Sequence, residues 1–552
     1  SDDVPNGGLN SLFGSLTGFI FGPNTFDPRP NDLGEFPDDG AFSNPLEVPS
    51  RFDFGQETNR FIGDFQFNLT PVEGLKIDYV AGLDVFEQVG EAFIPRGVSA
   101  PGFGTGFARR AELTNFQLNT DLNARYETTL LPGLSSTSLV GSTFQYKKEE
   151  TFNAESQDLA PIAQTAGSGT SSREFSEFRS PLTIWGVFGQ QKFGINDRLF
   201  ITGALRFDVS SSFAENDRGQ LYPKVSSSLV LSDYGFWQES LGVVLPSFKI
   251  RGSVGWSGGL TSIGAFDRFT VFNAQSFGDK PGLQPSPQLG AEGVEPERQR
   301  EIEIGADFEV LTDRLSLKFT YFDQETDDLL LQRSVAPTTG FDTELDNIGT
   351  VENTGVELRV EGVPLAREDV RWTTTATYTR NRNEVNGIPG ETGRLVIPSS
   401  FTVSVAQNGE SIGSFFGPAF KRNDAGEVVD QNGNPMRRDD DGFWRLKEGS
   451  ISQDGDGIPA QAERDQIIGD PTPDFTISWL NQFEIGNNLR FRFQFDGEIG
   501  QDIFNFTRRV GAFPSFGTLE DFERELEGDL PSGYGSQVFN IFENWVEDGT
   551  YL

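Results

Sequence analysis

The 552-residue chain contains no cysteine, no histidine and one methionine. Without cysteine there are no disulfides, thiolate metal sites or cysteine nucleophiles. Without histidine there is no Ser-His-Asp relay, and most zinc sites are removed. Carboxylate-only chemistry passes this filter, but a glycosidase needs two carboxylates about 5–10 Å apart across a cleft. No motif singles out such a pair, so the chain reads as a non-enzyme. Basic residues are scarce, with Lys plus Arg at 44 against Asp plus Glu at 82, a net charge of −38. Such a surface repels phosphate backbones and argues against nucleic acid as a partner. Long apolar runs are also missing: none approaches the roughly 18 residues a spanning helix needs. A β-barrel escapes that test, because only alternate residues face lipid.

What is present is period-two patterning, rich in Phe (52) and Gly (63). Ile302, Ile304, Ala306, Phe308 and Val310 alternate with Glu301, Glu303, Gly305, Asp307 and Glu309. After the turn Leu311–Asp313, Leu315, Leu317, Phe319 and Tyr321 alternate with Arg314, Ser316, Lys318 and Thr320. Two such runs joined by a tight turn predict a long β-hairpin. The same texture recurs from Phe61 to Ile499, which favours one large all-β body over several domains.

Connections sort by length. Short ones are Thr70–Gly74, Leu131–Leu134, Gly194–Asp197, Leu311–Asp313 and Gly486–Asn488. Long ones are Glu87–Leu113, Lys147–Pro181, Ser257–Pro296, Asp323–Asn353 and Arg380–Pro473, with Asp233–Ser247 long where a short turn is expected. Alternation alone fits a soluble sandwich as well as a barrel. Sorting of short turns and long loops favours an antiparallel transmembrane β-barrel. Tyr126, Trp256, Trp372, Tyr378 and Trp479 lie on apolar faces, where an interfacial girdle or ordinary core packing would both place them. Leu519–Glu527 has helical spacing and predicts a short helix in a late loop.

Several phrases occur in an order that resembles the SusC/RagA-type TonB-dependent outer-membrane receptors. They are FGQQKFGINDRLFITGALRFDVSSSF at Phe188–Phe213, FKIRGSVGWSG at Phe248–Gly258, EPERQREIEIG at Glu295–Gly305 and DNIGTVENTGVE at Asp346–Glu357. GESIGSFFG at Gly409–Gly417, IGDPTPDF at Ile468–Phe475 and WVEDGTYL at Trp545–Leu552 continue the series. Before Phe188 the likeness is one of texture.

The resemblance implies a barrel of about 22 strands, with short periplasmic turns and long extracellular loops. It implies TonB-driven import of a large nutrient such as an oligosaccharide or peptide across the outer membrane of a Bacteroidota-like cell. It also implies three partners: TonB acting through a plug, a SusD-like surface lipoprotein and outer-membrane lipid. Residues 1–552 are expected to be a partial barrel, with the plug and the last strands outside the chain. Residues 380–473 are expected as a long extracellular loop region and 511–540 as a late loop. A soluble secreted glycan-binding or adhesion protein, and a siderophore receptor, stand as alternatives.

Two candidate sites fall in the loops. Ser452–Glu463 approximates a calcium loop, with Asp454, Asp456, Gly457 and Glu463 at positions three, five, six and twelve, and the weaker ligand Ser452 at position one. A solvated Gly-Asp turn is the competing reading, and no cofactor is required. Phe415, Phe416, Phe420, Phe443 and Trp444 could stack on sugars or peptides, or pack locally within the loop.

Overall fold

Tight turns at one end of the molecule set the register of everything between them. Gly74 and Gly133 take φ of +82° and +80°, the left-handed region that costs glycine little. Asn196 and Asp197 both have positive φ, and Arg198 N–H donates to Ile195 O, a type I′ turn that matches strand twist. The computed structural model describes residues 27–37, 43–100, 102–215, 217–278, 280–311, 314–397, 404–447, 456–486, 488–512 and 520–552.

Fourteen strands form one sheet in strict sequence order, each antiparallel to the next. They are β1 Asp53–Val72, β2 Leu75–Ile94, β3 Phe107–Leu131, β4 Leu134–Leu159, β5 Gly169–Ile195, β6 Leu199–Ser210 and β7 Gly219–Val230. Then come β8 Ser247–Gly259, β9 Glu297–Val310, β10 Leu315–Asp327, β11 Thr350–Ala366, β12 Val370–Asn386, β13 Phe475–Ile485 and β14 Leu489–Ile499. The expected hairpin is β9–β10, with Ile304 opposite Tyr321 and Val310 opposite Leu315.

Among the described residues the sheet is not closed: β1 pairs with β2, and β14 pairs with β13 and, at its far end, through a single bridge from Glu498 to Tyr551. The part of a barrel expected for this chain takes the form of a fourteen-strand antiparallel wall. The helix expected at Leu519–Glu527 forms over Glu520–Glu527; Leu519 lies outside the described residues, as do Thr312, Asp313 and Asn487 of the turns.

Two expected loops are largely strand. Glu87–Leu113 and Lys147–Pro181 narrow to connections at 95–106 and 160–168, because β2 to β5 run 20 to 27 residues. Crossing a membrane takes about 9–11. The physical reason is visible on β2. Leu75, Ile77, Tyr79, Ala81, Leu83 and Val85 share one face, and the next residue on that face is Glu87. Leu75 to Val85 is about 34 Å of strand, or about 26 Å at a tilt of about 40°, close to the apolar band of an outer-membrane barrel. Beyond it polar and apolar residues mix on both faces, so period two disappears while the hydrogen-bond ladder continues. Ion pairs replace the apolar side chains there, as in Arg110–Glu91 at 2.7 Å and Lys148–Glu150 at 2.9 Å.

The buried apolar clusters sit at the long-loop end. Ala92, Ile94, Val98 and Phe107 form one, Ile348, Val351, Val385 and Ile388 another, and Phe443, Tyr534, Val538 and Trp545 a third. Between the ends, each wall strand meets its neighbours in the sheet and no second layer covers either face of the described wall.

Candidate functional site

The wall is the first functional element, and its register builds one apolar face across the strands. Phe65, Ala81, Thr120, Phe144, Trp185 and Val209 lie side by side from β1 to β6. Ile250, Ala306, Phe319, Leu358, Tyr378 and Ile477 do so from β8 to β13. These residues have no protein cover: Phe65 is 60% and Ile304 61% exposed, and Leu205, Val225, Phe319 and Trp479 are exposed as well. In water a continuous patch of this size would drive association. Against acyl chains it is the ordinary surface of a spanning barrel.

Aromatic residues mark both margins of that face. Near the short turns Trp372 stacks on Phe483 at 5.4 Å, and Phe248 on Phe308 at 4.7 Å. Toward the long loops Tyr378 meets Phe475 at 5.4 Å, and Trp256 lies opposite Arg300. Tyr126 sits beside the Glu73–Gly74 turn, paired with Leu75. Trp479 is different: it is central in β13, opposite Ala376 and Phe495, so it belongs to the middle of the band and not to a girdle. Its indole N–H donates to Thr374 Oγ1 at 2.9 Å, which spares an unpaired donor in an apolar setting.

The opposite face is polar and laced with ion pairs. Arg60 grips Asp84 with two hydrogen bonds, Lys249 Nζ lies 2.6 Å from Asp307, and Arg206 Nε lies 2.7 Å from Asp208. Many pairs join residues two apart on one strand, as in Arg359–Glu361, because period two puts both on the same face. A shallow recess of about 360 Å³ on β5 to β9 gathers Lys192, Lys224, Lys249 and Arg251 with Glu303 and several serines. Sequence reading passed over this basic group. Its signal was there: four cations at polar positions of nearby strands in a chain of net charge −38.

The second element is a folded body at the long-loop end. It joins two regions expected to be separate, 380–473 and 511–540. Phe443 packs with Ala512, Leu530, Tyr534, Val538 and Trp545. Trp444 N–H donates to Tyr534 Oη at 2.7 Å. Arg445 bridges Asp439 at 3.0 Å and Asp529 at 2.8 Å, and Arg524 reaches Asp441 at 2.9 Å while lying 4.5 Å over the Phe443 ring. Arg422 pairs with Glu543 at 2.5 Å.

These contacts set the titration of the body. Hydrogen bonds from Arg445 hold the Asp529 carboxyl below its ordinary range. Burial opposes the same shift at Asp439, but Arg445 and the Phe443 N–H prevail and that carboxyl is lowered too. Burial pushes Asp521 and Tyr534 up.

The expected stacking residues lie in or beside this body. Phe443 is 7% exposed, so its ring faces protein. Phe420 is buried and meets Trp444 edge-on at 5.0 Å. Phe415 is half-buried against Phe504 at 6.1 Å, and half-buried Phe416 carries the Arg394 guanidinium at 3.5 Å.

Of the calcium reading, Asp454 and Ser452 lie outside the described residues. Asp456 and Glu463 are exposed, and Asp456 accepts its own loop's Ile458 N–H at 3.0 Å. Ala460 is buried, with its N–H on Val429 O and its carbonyl receiving Lys421 N–H. Among the described residues no group of three acidic side chains gathers as a metal site.

A family model described as TonB dependent receptor-like, beta-barrel matches residues 2–446. The chain belongs to this family. Among curated relatives it is 26% identical to TonB-dependent receptor P3 of Formosa agariphila over 341 residues, 60% of this chain and 33% of that protein. It is also 26% identical to TonB-dependent receptor SusC of Bacteroides thetaiotaomicron, covering 48% of this chain and 27% of SusC. The solved RagAB peptide transporter superposes with a TM-score of 0.74 at 17% identity, over 94% of this chain and 58% of that one. The chain thus spans between 27% and 45% of the length of the curated relatives it matches. It is a SusC/RagA-type receptor chain of the Gram-negative outer membrane.

Proposed function

We propose that this receptor chain forms part of the wall of an active importer for a large nutrient, an oligosaccharide or a peptide. The observation that carries the reading is the division of the wall. One uncovered face is apolar and the other is polar and ion-paired, as a lipid boundary and a watery lumen require. In this reading the fourteen strands are part of a closed barrel of about 22, and the edges of β1 and β14 that the sheet leaves open meet further strands. A lumen that wide selects nothing by size, so it needs a plug and an energy input. TonB would act through that plug. A SusD-like lipoprotein would dock at the long-loop end, which in this reading is extracellular.

The relatives of SusC/RagA type favour a large nutrient over a siderophore. The uncovered apolar face argues against the soluble alternative, because water would not tolerate it. The test is uptake of labelled oligosaccharides and peptides by cells carrying the full-length receptor and its neighbouring lipoprotein, with and without a protonophore. Uptake abolished by the protonophore supports active import. Uptake indifferent to it, or recovery of the protein in the soluble fraction without detergent, sinks the reading.

A further inference from the structure

The segment 231–246, LSDYGFWQESLGVVLP, is the long connection at an end otherwise built from tight turns. It is folded. A 3-10 turn, Leu231–Asp233, leads into a helix, Gly235–Ser240, and helical hydrogen bonds continue through Leu241 N–H to Trp237 O at 2.8 Å and Leu245 N–H to Leu241 O at 2.8 Å. Trp237 is buried, and its indole N–H donates to Leu245 O at 2.9 Å, closing the segment on itself.

The place of Trp237 fixes the orientation. It stacks on Phe248 at 4.9 Å, and Phe248 stacks on Phe308 at 4.7 Å. Phe248 and Phe308 share their face with Ile250 and Ile304, the apolar face of the wall. The segment therefore leans against the lipid side of the wall at its lower margin. Four of its apolar side chains are bare: Phe236 is 62%, Val243 87% and Val244 56% exposed, and Leu241 is exposed as well. Leu311, in the next turn, is also exposed and donates its N–H to Val244 O at 3.3 Å. The segment's only charges are Asp233 and Glu239. Tyr234 lies beneath the Arg198 guanidinium at 4.9 Å, an amphipathic pair suited to headgroup depth.

We propose that residues 234–245 are an interfacial anchor, lying in the phospholipid leaflet at the short-turn end. Phe236, Leu241, Val243 and Val244 enter the acyl boundary. The occupant is lipid because the patch is continuous with the lipid-facing wall through the Trp237–Phe248–Phe308 stack. Interfacial binding grows with the apolar area buried, which these side chains supply, while Tyr234 and Arg198 sit at headgroup depth. The inference rests on the lipid assignment of the wall, and the experiment separates the two.

The chain has no native cysteine, so single thiols can be placed in the full-length receptor without competition from it. Val243→Cys, Ile304→Cys and Leu526→Cys each replace an exposed side chain and carry an environment-sensitive dye, in phosphatidylcholine vesicles. Quenching is read with brominated phosphatidylcholine and with aqueous iodide. The expected result is lipid quenching at Val243 equal to that at Ile304, with iodide quenching several-fold below that at Leu526. Iodide quenching of Val243 at the level of Leu526, while Ile304 stays in lipid, overturns the anchor and points to a protein partner at this end. Iodide quenching of both Val243 and Ile304 overturns the anchor and the wall assignment together.

Discussion

Replacing Ile304 with Arg separates a lipid-facing wall from a water-facing one by magnitude. Ile304 is 61% exposed and lies on β9 midway between the Trp256–Arg300 and Phe248–Phe308 pairs that mark the two margins. Its cross-strand neighbours are Gly252 and Tyr321, so an arginine there meets little steric conflict. In water, a substitution at so exposed a site changes stability by about 0.5 kcal/mol or less. In a bilayer, a guanidinium near the midplane of a barrel's lipid face costs about 2–4 kcal/mol, falling toward zero at the margins. The control is Gln324→Arg, on the polar face of β10 opposite Glu301, where the expected change stays within about 0.5 kcal/mol. Urea unfolding of the full-length receptor in vesicles, followed by tryptophan fluorescence, reads both. A loss of about 2–4 kcal/mol for Ile304→Arg alone supports the assignment. Equal small changes at both sites would refute the reasoning.

Other outcomes follow from the loop body. Trp545 is 1% exposed and central to its cluster, so Trp545→Ala should cost about 3–5 kcal/mol and release limited proteolysis near residues 434–446. Tyr534→Phe leaves the Trp444 N–H without its partner and should cost about 1–3 kcal/mol. Asp439 and Asp529 are lowered by Arg445, with help from the Phe443 N–H and Arg524, so their contribution is complete above the ordinary carboxyl value of 3.8 and is lost as pH falls below it; Arg445→Met should weaken this acid-dependent loosening. Asp521 has the opposite sign: burial raises it, so its favourable protonated form is lost as pH rises, and Asp521→Asn should stabilise the body at pH 7 and change little at pH 3 in thermal melts. The calcium reading of Asp454, Asp456 and Glu463 predicts that EGTA lowers the melting temperature of this body; an unchanged melt removes it.

The wall was legible in the sequence where its two faces meet different solvents. On β9 and β10 the alternation of Ile302–Val310 and Leu315–Tyr321 located the strands and the turn, because lipid and water impose opposite chemistry on successive residues. On β2 to β5 the same method ended the strands at Glu87 and Lys147, since beyond the apolar band polar and apolar residues mix on both faces and alternation carries no signal. Only the pairing of whole ladders, such as Arg110 with Glu91 across β3 and β2, reveals that the strands continue. The loop body was hidden for another reason. Phe443, Trp444, Tyr534 and Trp545 are conspicuous as aromatics, but their partners lie about a hundred residues away, and no local period connects them. The aromatic residues could be named from the sequence, while the burial of Phe420 and Phe443 depends on contacts that the sequence does not order.

Accessibility along the β9–β10 hairpin tests the central claim most directly. Nitroxides placed singly from Glu301 to Val310 and from Leu315 to Tyr321, in the full-length receptor in vesicles, report collision with oxygen, which favours lipid, and with a nickel chelate, which stays in water. The account predicts period-two profiles in opposite phase. Oxygen should peak at Ile302, Ile304, Ala306, Phe308, Leu317 and Phe319. The chelate should peak at Glu303, Gly305, Asp307, Ser316, Lys318 and Thr320. Profiles in phase, or chelate access at Ile304 equal to that at Glu303, would contradict it.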